Sequence, residues 1–195
     1  MGGAGARTVA GLLLAPGASA GRDQAALIAI DSALSPHLTV ERIDFPYRLA
    51  GRRAPDKPAV LIGAVADGAQ RLAAALRVPT TRVALGGRSM GGRMCSMAVA
   101  DGLPAAALVL ISYPLHPPGK PDRLRTEHFG AISVPCLFVS GTRDAFGTPQ
   151  ELETATRAVG GSVDHVWIEG ADHGMRGKDA ELAEVVSHWI LEVKV

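Results

Sequence analysis

The 195-residue chain is poor in cysteine, in aromatic residues and in net charge. Its two cysteines, Cys95 and Cys136, each lie inside an apolar run, which indicates small core residues and argues against a disulfide framework or a metal cluster. The formal net charge is +1 and no run of Lys or Arg occurs, so the chain lacks the charge pattern of a protein that binds nucleic acid or an anionic membrane. We therefore expect no metal site, no nucleic-acid partner and no membrane partner.

No apolar run approaches the length of a membrane span, and the first one only imitates a targeting signal. Arg7, the apolar stretch 8–15 and the small residues 18–20 follow the order of a signal peptide and its cleavage site. The apolar core is short, however, and Pro16–Gly17 interrupts the approach to that site. We expect a cytoplasmic protein, and the sequence leaves its oligomeric state open.

Hydrophobic residues make up 47% of the chain and charged residues 20%, which is typical of a globular protein, and the length predicts a single domain over 1–195. Short apolar segments alternate with helical periods such as the one that places Leu182, Val186 and Ile190 on one face. Six segments are typical of strands buried on both faces: 8–15, 38–45, 82–86, 105–111, 135–140 and 162–168. The alternation predicts an α/β fold with a doubly wound, mostly parallel six-stranded sheet.

One helix start is predicted directly from side-chain chemistry. In the sequence TPQE, Thr148 can cap a helix, Pro149 suits its first turn, and Glu151 completes a capping box. We therefore expect a helix to begin there, directly after the fifth strand and its loop.

The pattern Gly-x-Ser-x-Gly occurs twice, around Ser19 and around Ser89. Ser89 lies in LGGRSMGGRM, where a strand runs straight into a turn and a helical period starts at once from Gly91. A serine on so sharp a turn leaves no room for side chains two residues before and after it, which explains the glycines. Around Ser19, PGASAG is more simply explained as a glycine turn that precedes a helix. We therefore predict Ser89 as the nucleophile.

The turn at Ser89 also predicts where an oxyanion would be bound. It aims the backbone N–H of Met90 at the space in front of the serine, as one half of an oxyanion hole. The second donor has to come from a neighbouring strand–helix loop. Because the first strand of a doubly wound sheet lies next to the third, the loop 16–20 is available, and we expect Ala18 N–H to be that donor.

A serine nucleophile needs a base, and the base needs an orienting acid. In enzymes with this kind of turn both follow the serine along the chain, each on the loop after a later strand. Asp144 follows the fifth predicted strand and His173 the sixth, at the same edge of the sheet as Ser89. Other candidates are weaker by position or by order: His116, His128, Asp172 and Glu169.

Segments distributed over essentially the whole chain resemble small hydrolases related to dienelactone hydrolase. This branch of the α/β-hydrolase superfamily has no cap domain and includes the hydrolase-like domain of testis-expressed protein thirty and that of a chromatin-complex subunit. The resemblance is carried by LLLAPGASAGRDQ, IDFPYRLAGRRAPDKP, LGGRSMGGRM, ISYPLHPPGKPDRLRTEHF, FVSGTRDAFGTP and IEGADHGM. It implies a triad and an oxyanion hole on the residues proposed above: Ser89, Asp144, His173, Ala18 and Met90.

The chain departs from its relatives at two points. They usually have His-Gly where this chain has Pro16–Gly17, which changes how the loop is anchored. Dienelactone hydrolases use a cysteine nucleophile where this chain has Ser89, so lactone chemistry is not carried over. The resemblance leaves natural substrates open, and it also leaves open a non-catalytic scaffold.

The function expected from the sequence is hydrolysis of small ester-like substrates through an acyl-enzyme, with no cofactor. The long irregular stretch 112–134 should lie over the site, since loops of that length are usually functional, and its Tyr113, Leu115 and His116 are the expected pocket residues. Arginines next to the motif residues indicate either an anionic acyl substrate or, more simply, solvated side chains and salt bridges: Arg88, Arg93 and Arg143. A scaffold or binding protein, an acyltransferase and a thioesterase stay open as alternatives.

Overall fold

The computed structural model describes residues 9–195, so Arg7 and Thr8, the first residue of the predicted strand 8–15, lie outside the described residues. Within that range the chain forms six strands: β1 (Gly11–Ala15), β2 (Thr39–Arg42), β3 (Val83–Arg88), β4 (Leu108–Ile111), β5 (Cys136–Gly141) and β6 (Val163–Ile168). They make one sheet in the order β2-β1-β3-β4-β5-β6, and every neighbouring pair is parallel. The predicted fold class is confirmed, including the position of the first strand beside the third.

Helices cover both faces of the sheet. They are α1 (Ala25–Leu34), α2 (Pro46–Leu49), α3 (Pro58–Leu76), α4 (Met90–Ala100), α5 (Pro149–Ala155) and α6 (Asp179–Glu192), and three short 3-10 turns lie at Thr80–Arg82, Phe129–Ala131 and Thr156–Ala158. Helices α3 and α4 pack together on one face, and α1 and α6 on the other. In β1, Leu13 faces the first layer whereas Leu12 and Leu14 face the second, because successive strand residues point to opposite faces.

Burial on both faces explains why the strands could be predicted. Leu12, Leu13 and Leu14 of β1 are all fully buried, and so is each residue of β4 and β5. A strand with no exposed face has no polar positions to alternate with, so it appears in the sequence as a continuous apolar run. The edge strand β2 is only partly buried and accordingly carries Glu41 and Arg42.

The observed strand ends differ from the predicted ones at positions where the residues are glycine or alanine. Strand β3 extends two residues past the predicted end at Gly86, because Gly87 pairs with Ala15 of β1 and with Leu110 of β4. Backbone hydrogen bonds need no side chain, so the pairing continues where the apolar pattern has ended. This extension carries the chain directly to the turn at Ser89.

Helix α3 is the one helix among residues 9–195 that is long and apolar enough to cross a membrane by length and composition alone. Its apolar face packs against the protein core, where Leu61, Val65 and Leu72 are buried. This face has the spacing of an amphipathic helix that packs on a sheet.

The predicted capping box at the start of α5 is confirmed. The Thr148 hydroxyl accepts a hydrogen bond from the Glu151 N–H at 3.3 Å, and the Glu151 carboxylate accepts one from the Thr148 N–H at 2.8 Å. The hydrogen bonds from Thr148 hold the pKa of Glu151 below its usual value. The cap fixes the point at which the loop after β5 ends.

Candidate active site

Ser89 occupies the turn between β3 and α4 in a strained backbone conformation. Its φ is 52° and its ψ is −115°, a combination that residues with a Cβ rarely adopt. Its N–H donates to the Ile111 carbonyl at the end of β4 at 2.8 Å, and its own carbonyl accepts from Arg93 in α4. The turn therefore presents the Ser89 side chain at the carboxyl edge of the sheet, as the motif predicts.

The glycines two residues before and after Ser89 are required by packing. A Cβ on Gly91 would overlap the Ala15 carbonyl oxygen and lie 2.6 Å from that of Pro16, and one on Gly87 would lie 2.9 Å from the Gly91 carbonyl carbon. Gly86 and Gly92 are confined as well, by Val109 and by the Gly87 carbonyl. The strand and the helix therefore approach each other almost backbone to backbone, which gives the turn its sharpness.

Three of the predicted site residues form a continuous chain of hydrogen bonds. Ser89 Oγ lies 2.9 Å from His173 Nε2, and His173 Nδ1 lies 2.8 Å from Asp144 Oδ2. Asp144 is 4% exposed beneath the histidine, whereas the imidazole is partly exposed above it. A carboxylate can only accept, so it holds the proton on Nδ1 and leaves the Nε2 lone pair facing the serine hydroxyl.

Two further residues fix the histidine. The ring of Phe146 stacks on that of His173 with centroids 3.9 Å apart, and the Phe146 N–H donates to Asp144 Oδ1 at 2.8 Å. The Arg88 guanidinium donates from Nη2 to the His173 carbonyl at 2.7 Å. Sequence reasoning missed the role of Phe146. The one available signal was its position two residues after the predicted acid, which allows a backbone bond to that carboxylate.

The loop after β1 lies beside this turn, because β1 is the neighbour of β3. The Gly17 N–H donates to the Gln24 side chain at 3.1 Å, and the Gly17 carbonyl accepts from Ala20 N–H. The buried Tyr47 hydroxyl donates to the Ala18 carbonyl at 2.6 Å, and burial raises the pKa of Tyr47, which keeps the donor protonated. Gln24 thus anchors the loop at Gly17.

The two backbone amides that the sequence assigns to an oxyanion hole are available. Within residues 9–195 neither Ala18 N–H nor Met90 N–H is used in a hydrogen bond. Both residues line the cavity that contains Ser89 and His173. Within this range both amides are therefore free to bind a ligand in this cavity, as the predicted oxyanion hole requires.

The cavity in front of Ser89 has a volume of about 670 Å³ and is open to solvent. Phe146 lines it, and so do Pro114 and Arg125 of the stretch 112–134. The long irregular stretch therefore does contribute a wall of the site.

The prediction of which residues of that stretch line the pocket was wrong. Tyr113, Leu115 and His116 do not line the cavity and are at most 5% exposed. Tyr113 packs its ring against Phe129 and Phe138, and its hydroxyl reaches the Arg125 carbonyl. The chain folds the apolar side chains inward, because their burial is favourable, and presents Pro114 and Arg125 to the cavity.

The weaker candidates have other partners. His128 hydrogen-bonds to the buried Ser96, and His116 to the Pro117 carbonyl and to Glu151. Glu169 accepts from Thr142, and Asp172 from Gly174 N–H, although Asp172 also borders the cavity. In the part of the chain that the structure describes, no three His, Cys, Asp or Glu side chains are grouped to hold a metal ion.

Several solved proteins share this fold at low sequence identity. An alpha-beta serine hydrolase homologue from Coxiella burnetii is similar with a TM-score of 0.75 and 17% identity, over 95% of this chain and 86% of that one. Dienelactone hydrolase from Anabaena variabilis gives 0.75 and 18%, over 96% and 88%. Est1E from Butyrivibrio proteoclasticus gives 0.72 and 16%, over 95% and 88%.

At these identities the structural similarity establishes the fold and leaves the reaction open. The sequence itself gives the closer assignment, because the model of a protein family described as alpha/beta hydrolase domain matches residues 8–192. The resemblance found in the sequence segments is thereby confirmed, and the chain belongs to the alpha/beta hydrolase domain family.

Proposed function

We propose that the protein is a serine hydrolase that cleaves small esters, with Ser89 as the nucleophile, His173 as the base and Asp144 as the orienting acid. The observation that supports this most is the continuous hydrogen-bonded path from Ser89 Oγ to the buried Asp144 carboxylate at the edge of an open cavity. A serine hydroxyl is a weak nucleophile until a base accepts its proton, and His173 Nε2 is placed to do so.

The proposed reaction has two halves. Ser89 Oγ attacks the ester carbonyl while His173 Nε2 takes its proton, and the amides of Ala18 and Met90 bind the oxyanion that forms. His173 then gives that proton to the leaving alcohol as its bond to the carbonyl carbon breaks. A water molecule, deprotonated by the same histidine, hydrolyses the acyl-serine and restores the enzyme.

The first test is active-site labelling with a fluorescent fluorophosphonate, read on a gel beside hydrolysis of 4-nitrophenyl acetate. Wild type is expected to label and to hydrolyse the ester, and Ser89→Ala to lose labelling and at least about a thousandfold in kcat. Ser19→Ala is the matched control, since Ser19 stands in the same Gly-x-Ser-x-Gly pattern and borders the same cavity. It should still label.

Circular dichroism has to show that each variant is folded. Folded wild type that neither labels nor hydrolyses esters would contradict the proposal and would favour a non-catalytic binding protein. Labelling that disappears in Ser19→Ala and persists in Ser89→Ala would assign the nucleophile to the other motif.

A further inference from the structure

The cavity in front of Ser89 is unusually rich in arginine. Four arginines line it, Arg88, Arg93, Arg125 and Arg176, whereas Asp172 is its one carboxylate lining residue. Among residues 9–195 none of these four arginines forms an ion pair, in contrast to Arg42, Arg52 and Arg71. The wall therefore carries more positive than negative charge, and its nearby carboxylates, Asp144, Asp172 and Asp179, act on Arg88.

Two of these arginines, Arg93 and Arg125, reach the cavity from different elements, α4 and the stretch 112–134. Arg93 lies four residues after Ser89 on α4, about 6 Å further along the helix axis, and its Nε is buried with no hydrogen-bond partner in the described part of the chain. Arg125 comes from the long stretch 112–134. Both side chains line the same cavity, and burial and, secondarily, the charge of Arg93 lower the pKa of Arg125.

The Arg125 segment is held in place and does not simply extend into solvent. Its N–H donates to the Leu115 carbonyl at 2.8 Å, and its carbonyl accepts from the buried Tyr113 hydroxyl at 2.7 Å. Its Nη1 reaches the Pro114 carbonyl at 3.3 Å, which leaves the other guanidinium donors for the cavity. Of the remaining arginines of the wall, Arg176 is exposed, and Arg88 is already bonded through Nη2 to the His173 carbonyl, although its Nε, like that of Arg93, is buried without a partner among the described residues.

Two like charges held together without a counterion repel each other, and an anion between them removes that repulsion. Arginine is well suited to this, since its planar guanidinium binds carboxylate or phosphate oxygens through paired hydrogen bonds. In a partly buried cavity such bonds are stronger than on an open surface.

We propose that the substrates of this enzyme are esters that carry an anionic group, a carboxylate or a phosphate, and that Arg93 and Arg125 bind it. The inference rests on the proposed esterase function, whose reacting carbonyl would lie at Ser89. Because Arg93 is about one helical turn from Ser89, the anionic group lies only a few bonds from that carbonyl. Neutral esters of equal length then lack these contacts and are poorer substrates.

The kinetic test compares mono-4-nitrophenyl adipate with 4-nitrophenyl hexanoate, which have the same chain length and leaving group. We expect wild type to prefer the anionic ester at least about tenfold in kcat/KM, through a lower KM, because a charged hydrogen-bonded contact contributes that much. Arg93→Gln and Arg125→Gln should each lower this ratio about tenfold. Arg93→Lys, which retains the charge, should keep part of the preference.

Arg123→Gln is the matched control, because Arg123 is exposed on the same stretch and does not border the cavity. It should leave the ratio as in wild type. An equal ratio in wild type and in both arginine variants, or an equal loss in Arg123→Gln, would overturn the proposal.

A binding test separates this inference from the esterase proposal, because it needs no turnover. In Ser89→Ala, isothermal titration with adipate and with inorganic phosphate should show saturable binding, weakened at least about tenfold when Arg93→Gln is added. The tighter of the two ligands identifies the anionic group. Anion binding without ester hydrolysis in wild type would support the site and contradict the esterase; hydrolysis without binding or preference would do the reverse.

Discussion

The carbonyl oxygen of Ala15 lies at the point where β1, β3 and α4 come closest. A Cβ on Gly87 or on Gly91 would overlap it, so two glycines of the motif are confined by one atom. The positive φ of Ser89 persists because these neighbours leave the backbone no room to relax. The motif is thus a packing requirement in the first place, and the exposed serine is its consequence.

A methyl group at this point should be costly. Gly91→Ala is expected to destabilise the fold by about 2–3 kcal/mol, because the added Cβ meets backbone atoms that cannot move aside. Gly63→Ala is the matched control: it lies within α3, and an added Cβ meets no atom within 4 Å. That variant should gain about 0.5–1 kcal/mol from helix propensity. Denaturant unfolding measures both, and similar stability of the two variants would contradict the packing argument.

The residue types at the site could be predicted, but their contacts could not. Ser89, Asp144 and His173 carry positional signals, a glycine pattern and the ends of apolar strands, and the structure brings them together; their catalytic role stays a prediction. Gln24 and Phe146 carry no such signal, because an amide or a phenyl ring in a loop is common. Their roles come from neighbours distant in the chain or from loop geometry.

The loop after β1 is held by a side chain of a short helix. Helix α2, Pro46–Leu49, is a single turn, and it places the Tyr47 hydroxyl 2.6 Å from the Ala18 carbonyl. The Ala18 carbonyl belongs to the planar peptide that carries the Ser19 N–H, so the bond from Tyr47 fixes that peptide and thereby the position of Ala18, whose own N–H is the proposed donor. Tyr47 is therefore a positioning residue for the proposed oxyanion hole.

Removing that hydroxyl should affect the rate more than binding. Tyr47→Phe is expected to lower kcat on 4-nitrophenyl acetate about tenfold with little change in KM, because the oxyanion exists only in the transition state. It should also destabilise the fold by about 1 kcal/mol through the loss of one part-buried hydrogen bond.

Tyr113→Phe gives a control of the same chemistry. Tyr113 is the other tyrosine of the chain, is 1% exposed and donates to the Arg125 carbonyl, which does not belong to the loop after β1. It should lose similar stability while keeping kcat on this neutral ester. If both variants lowered kcat equally, the effect of Tyr47 would be one of general stability.

The centres of the elements could be predicted more securely than their ends. Strands β4 and β5 are buried on both faces, so their apolar runs are unambiguous. The segment 105–107 at the start of the predicted fourth strand is apolar and buried too, yet the strand begins only at Leu108. Burial alone does not distinguish a strand from the chain that leads into it, because the difference lies in pairing partners.

The reactivity of the two cysteines is a measure of how readily the whole fold opens. Cys95 in α4 and Cys136 in β5 are fully buried, and burial raises the pKa of each thiol to about 12. At about pH 8 both therefore stay protonated as well as inaccessible, and the thiolate is the reactive form. We expect a thiol reagent to modify native protein only as fast as the fold opens, and both cysteines at the same rate.

The measurement is the time course of reaction with a chromogenic disulfide in native buffer and in denaturant. Full reaction within mixing time is expected only in denaturant, where thiol pKa values return towards about 8.5. Fast modification of one cysteine in native protein would show that its element opens independently. The single-domain organisation stays a prediction, as does the cytoplasmic location.

The hydrogen bond from Arg88 to the His173 carbonyl has a consequence for how the chain can vary in length. It joins His173 to the end of β3, the strand that leads to Ser89. The distance between Ser89 and His173 is therefore set at β3 and does not depend on the segment between His173 and α6. Within that segment lies Gly177, at a φ of 73° and with open space around its Cβ position. Insertions there can lengthen the connection while serine and histidine keep their register, whereas insertions between Asp172 and Gly174 cannot. The fold thereby separates the part of this loop that must be conserved in length from the part that is free to diverge.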